Sequence, residues 1–86
     1  MVMERDIKDI VGVLMRVLDG GEVLPAELND LEFEAEGELE AALNDAFIKL
    51  QEFAYDRDLR QSDPARDRAM RAELQGCLDR IVKASP

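Results

Sequence analysis

Apolar residues return every three or four positions along the start of the chain: Met3, Ile7, Ile10, Val11, Leu14, Val17 and Leu18. Only a helix turns that spacing into one continuous face. Val13 and Met15 are expected to widen it. The face stops at Gly20-Gly21, where glycine takes the left-handed conformation that closes a helix without steric cost. The same period returns in Leu39, Leu43, Ala46, Phe47, Leu50, Phe53 and Ala54, with a second stripe, Ile48, Tyr55 and Leu59, beside it. Two stripes predict a wide buried arc, covered by two neighbours or by one neighbour and a partner chain. It returns again in Met70, Leu74, Cys77, Leu78, Ile81 and Val82.

The punctuation between these segments fits the same reading. Pro25 suits the first position of a short helical turn, which Leu24, Leu28 and Leu31 would pin to the core. Asp63 reads as an N-cap with Pro64 at the first helical position. Arg80 and Lys83 suit the negative end of the last helix dipole. The spacing predicts helices over about 2–19, 25–30, 31–60 and 64–83 in one domain, 1–86. The expected fold is all-α, a small three- to four-helix up-down antiparallel bundle with short connections.

Composition agrees. The 86 residues are 47% hydrophobic and 36% charged, with no Thr, Trp or His. That mixture suits a folded helical domain rather than a disordered tail. No run approaches the length a membrane-spanning helix needs. The first ten residues, MVMERDIKDI, lack the basic-then-apolar order of a signal peptide, so a cytoplasmic location is expected.

Charge is distributed unevenly. Eleven Lys and Arg face twenty Asp and Glu, a net charge of −9. Residues 22–45 hold nine acids and no base, whereas residues 64–86 hold five bases and three acids. A surface of this sign repels nucleic acid and attracts basic proteins.

The acidic third contains LEFEAEGELE, Leu31–Glu40, in which every second residue is Glu. Strict alternation is a strand signature, but nothing else in the chain alternates to pair with it. As a helix start, Leu31, Ala35, Leu39, Ala42 and Leu43 turn inward, and Glu32, Glu36 and Glu40 form a ladder with Glu34 and Glu38 beside it. Asn29 and Glu32 would cap it. Such a ladder is either a solvated face, a partner for the basic last helix, or a recognition surface for a cationic protein. A carboxylate metal centre is not expected, because diiron bundles require Glu-x-x-His and calcium loops an Asp-x-Asp-x-Asp-Gly pattern.

Catalytic chemistry is not expected either. Without histidine there is no Ser-His or Cys-His pair. Cys77 lies on an apolar stripe and reads as a small core residue. The lone Gly20-Gly21 pair has no following Gly-Lys-Ser, so it is not a phosphate loop. Acyl carrier proteins share the size and acidity, but Ser62 stands in QSDP rather than in their Asp-Ser-Leu. No cofactor is implied.

Three segments together resemble the small helical immunity proteins that protect bacteria from colicin-type nuclease toxins. VLDGGEVLPAEL is similar to that family's helix, glycine turn and short second helix. AFIKLQEFAYDRDLR is similar to its central helix, ending in an aromatic and an Asp-rich turn. RAMRAELQGCLDRIV is similar to its last helix. The resemblance implies a catalytically inert inhibitor whose acidic face plugs a toxin's basic cleft, with Glu52, Asp56, Asp58 and Asp63 and the glutamate ladder as contact residues. The expected function is therefore a small acidic protein-binding module. The competing expectation is a structural homodimer joined through Ile48, Tyr55, Leu59 and the first helix, its acidic face merely solvated.

Overall fold

The computed structural model describes the backbone of residues 4–29, 31 and 37–84, and their side chains from Ile7 onward. Among the described residues five helices form: α1 Glu4–Leu18, α2 Pro25–Asn29, α3 Gly37–Tyr55, α4 Arg57–Ser62 and α5 Pro64–Ala84. Among the described residues every regular element is helical, and no helix is long and apolar enough to cross a membrane. The count, three long and two short, exceeds the three or four expected, because the central segment is divided.

The first turn shows why sequence and structure agree there. Gly20 has φ +97°, and its N–H donates to the Val17 carbonyl at 3.1 Å. Gly21 brings the chain back against α1, its N–H 2.9 Å from the Arg16 carbonyl. A Cβ at Gly21 would sit 2.8 Å from that same oxygen, so the approach needs glycine. Pro25 then opens α2. The Glu27 carboxylate reaches back to accept the Leu24 N–H at 2.8 Å, the reciprocal half of a capping box. That N–H, more than the Arg16 guanidinium, lowers the pKa of Glu27.

The helix expected over 31–60 is corrected at both ends. Leu31 is not helical, and α3 begins at Gly37, whose φ of +65° cannot lie inside a right-handed helix. Asn29 accordingly closes α2 instead of capping α3. Residues 32–36, with Glu32, Glu34 and Glu36, lie outside the described residues. At the other end Asp56, at φ −90° and ψ 9°, separates α3 from α4. Hydrogen bonds still cross the break, from Asp56 N–H to the Glu52 carbonyl at 3.0 Å and from Arg60 N–H to the Asp56 carbonyl at 2.9 Å. The Asp56 carboxylate does not cap α4; it pairs with Arg66 of α5.

Helices α3 and α5 pack together and α1 lies on both, while α2 covers α3 and α4 rests on α3 and α5. Between them Ile10, Leu14, Val17, Leu28, Leu43, Leu50, Phe53, Leu74 and Ile81 are essentially inaccessible to solvent. Each such side chain contributes on the order of 1.5–3 kcal/mol by leaving water. Three expectations about burial fail. Met15 does not widen the core face but is 59% exposed. Leu24 does not pin the first turn and Val82 does not join the last helix's core stripe; both are exposed. Ile48, Tyr55 and Leu59 are also exposed, so a neighbouring helix of the same chain does not cover the second stripe. On α3 the reason is geometric: Leu39, Leu43, Leu50 and Phe53 turn one side of the helix to the core, and Ile48 and Tyr55 stand on another.

Candidate functional site

One residue connects the core to the charged surface. Arg60 continues the spacing of the core stripe, seven positions after Phe53, and it is buried there with 3% of its surface exposed. Its guanidinium lies over the Phe53 ring, 3.3 Å from the centroid, a cation–π contact. Nε donates to the Phe53 carbonyl at 3.0 Å. The two terminal nitrogens reach carboxylates: Glu22 at 2.6 and 3.1 Å, and Asp67 at 2.8 Å.

Arg71 closes the arrangement from α5. It donates to Asp67 at 2.8 Å and to Glu22 at 2.9 Å. It also donates to the carbonyls of Val17 and Gly21, the latter at 2.9 Å, satisfying the end of α1. Its guanidinium carbon is 5.0 Å from the Phe53 centroid. Two acids and two bases thus form a neutral clasp that ties the α1–α2 turn to α3, α4 and α5. Among the described residues no buried side-chain nitrogen or oxygen lacks a partner. Hydrogen bonds from Arg60 hold the Glu22 carboxyl below its ordinary range, and those from Arg71 do the same for Asp67. Burial acts against Arg60's charge, yet the Glu22 and Asp67 bonds outweigh it and raise its pKa.

The clasp fixes α4, and α4 shares in the outer face of the molecule. Asp58 and Leu59 are exposed on the same short helix that buries Arg60. On α3, Ile48, Glu52 and Tyr55 follow one another at helical spacing on the outward side. Tyr55 is 74% exposed, the most of any large apolar side chain described. Ile48, Tyr55 and Leu59 therefore give this face apolar content, with the carboxylates of Glu52 and Asp58 beside it. Neither carboxylate forms an ion pair among the described residues.

The other expected contact residues separate into groups. Glu38 and Glu40 are exposed in the first turn of α3, where the dipole favours them, and make no ion pair among the described residues. At 1.5 Å per residue, Glu40 stands about 22 Å along the axis from Tyr55, so the two ends of α3 form separate patches. Asp56 and Asp63 are engaged internally: Asp56 pairs with Arg66, and Asp63 accepts the Arg66 N–H at 3.3 Å as the N-cap of α5. Among the described residues the basic last helix meets the acidic segment by ion pairs at two points, Glu22 through Arg71 and Asp45 through Arg80. Arg80 comes within 3.9 Å of Asp45, and Lys49 and Glu73 pair at 3.7 Å. Cys77 is buried, 3.6 Å from the Asp45 carboxylate, and burial followed by that negative charge pushes its thiol up to about 11. Such a thiol is not a nucleophile at neutral pH.

Sequence reading missed the clasp. Its one legible sign was an arginine in the register of an apolar stripe, at Arg60. Neither a family model nor a curated relative nor a solved structure matches the chain.

Proposed function

We propose that the chain is a non-catalytic protein-binding module whose α3–α4 outer face takes a basic partner. The observation that carries this reading is Tyr55, 74% exposed with Ile48 and Leu59 and bordered by the carboxylates of Glu52 and Asp58, which make no ion pair among the described residues. Exposed tyrosines recur at the energetic centres of protein interfaces, and a charged border selects and steers the partner. Glu38 and Glu40 lie farther along the same helix and extend the negative field. The resemblance to immunity proteins supplies the specific form of the proposal, in which the partner is a nuclease toxin and this face covers its basic cleft. Asp56 and Asp63 would then shape the face rather than touch the partner.

The test is capture of partners from the source cell at low and moderate salt, then binding measurements with the captured protein. Tyr55→Ala is expected to weaken binding by about 30-fold or more, in the range of an interface hot spot. Glu52→Lys is expected to slow association and reduce its salt dependence. An affinity indifferent to ionic strength and to Tyr55 rules out this face.

A further inference from the structure

A second face of the molecule carries a different pattern. Among the exposed residues of α1, Lys8, Gly12 and Met15 follow at spacings of four and three, and Asp19, in the turn just past its end and bonded back to Met15, continues them in one stripe, with Asp9 and Arg16 exposed alongside. Lys8 and Asp19 make no ion pair among the described residues. Among the described residues nothing lies within 4 Å of where a Gly12 Cβ would be. Glycine is a poor helix former, and the packing within one chain does not require it there. Beside the stripe runs a groove of about 550 Å³ lined by Met15, Arg16, Leu18, Asp19, Gln75 and Leu78. Val82, one turn beyond Leu78, is also exposed.

We propose that this face binds a second copy of the chain, with the two α1 helices antiparallel about a two-fold axis passing between Val13 and Leu14. That one placement pairs the stripe with itself. Lys8 of each copy faces Asp19 of the other, and Met15 of each lies over Gly12 of the other, where no side chain stands in the way. A two-fold interface must be self-complementary in this sense, and the order positive, small, apolar, negative meets the condition.

Charge distribution selects the same face. Residues 1–21 hold three bases and four acids, and residues 64–86 five bases and three acids. Helices α1 and α5 therefore belong to parts of the chain that together are nearly neutral, within a chain of net charge −9. Two copies repel least when these parts meet. The α3–α4 face with Glu52 and Asp58, and the separate acidic start of α3 with Glu38 and Glu40, take no part in this contact.

Sedimentation equilibrium of the full chain at low salt and neutral pH, over on the order of 10 μM to 1 mM, tests the proposal. The wild-type chain is expected to dimerise. Lys8→Asp puts two acids in apposition and Asp19→Lys two bases, so each variant alone should dimerise about tenfold more weakly or worse. Asp19→Lys makes the chain two charges less negative, so general repulsion alone would tighten its self-association instead. An equimolar mixture of the two variants restores both opposite-charge contacts and is expected to form a heterodimer. Both sites are exposed, and circular dichroism checks that each variant remains helical. The proposal is overturned by a wild-type chain that stays monomeric throughout. It is equally overturned by dimers that survive both substitutions, by a mixture that regains nothing, or by dimers that Tyr55→Lys abolishes while Lys8→Asp does not.

Discussion

Glu22 and Glu38 belong to the same acid-rich third of the chain, yet the fold uses them in opposite ways. Glu22 receives hydrogen bonds from Arg60 and Arg71, and its carboxylate is one corner of a neutral clasp. Glu38 stands exposed in the first turn of α3 with no ion pair among the described residues. The clasp concentrates charge where four segments of chain converge and spends its hydrogen-bonding capacity internally. The outer face of α3 leaves its charge to solvent or to a partner. Acidity alone therefore says little about binding; what matters is whether a base of the same chain has already answered it.

The sharpest way to break the contrast is at Arg60. Arg60→Ala removes a buried cation from two carboxylates and from the Phe53 ring, and should cost about 3 kcal/mol or more in unfolding free energy, measured by urea denaturation. Arg60→Lys should recover only part of that, because an ammonium cannot serve Glu22, Asp67 and the Phe53 carbonyl in one plane. Phe53→Ala should cost a comparable ~3–5 kcal/mol through the cavity it leaves.

A smaller effect is expected at the clasp's acids. The fold lowers the pKa of Glu22 and of Asp67, so the folded chain binds fewer protons than the unfolded one around and below pH ~4. Their contribution is fully present above the ordinary carboxyl range and is lost as pH falls through the lowered values. Glu22→Gln should cost about 1–2 kcal/mol at neutral pH, and its stability should fall less steeply with acid than that of the wild type. Urea midpoints at a series of pH values check both; parallel curves would remove Glu22 from the acid response.

This ranking also shows which parts of the fold the sequence could disclose. The Gly20-Gly21 stop, the Pro25 and Pro64 helix starts and the Asp63 cap are local, each decided by a few adjacent residues, and the sequence displays them openly. The core stripe of α3 is nearly as legible, from Leu39 through Phe53. The break at Asp56 is not, because it accompanies a tertiary contact with Arg66, ten residues on. The clasp is hidden for the same reason: Glu22 and Arg60 are 38 residues apart and meet only once α3 and α5 have packed. Ile48, Tyr55 and Leu59 were legible as a stripe, buried within the chain or offered to another, since periodicity identifies a face and only packing decides which face the chain itself covers. Met15 misled for the same reason.

At Gly20 the expected effect is smaller again. Gly20→Ala places a Cβ at φ +97° in open space, so the cost is conformational alone, about 1–2 kcal/mol. Asparagine at that position should lose less, because its side chain tolerates the left-handed region. A similar loss for both would mean that the turn, and not its handedness, is what matters there.

The smallest effect on stability is expected where the charge is free. Glu38→Gln or Glu40→Gln removes a dipole contact at the start of α3 but also relieves repulsion among neighbouring acids, two terms of a few tenths of a kcal/mol that oppose each other. The melting curve should therefore move by no more than about 0.5 kcal/mol in either direction. Asp67→Asn, also the loss of a single acid, should lower stability several times more, because Asp67 is held by Arg60 and Arg71. Equal losses at Glu38 and Asp67 would show that the first turn of α3 is as structural as the clasp. A silent Glu38 beside a costly Asp67 would show that two acids of one small chain can be separated cleanly, one into the fold and one onto the surface offered to a partner.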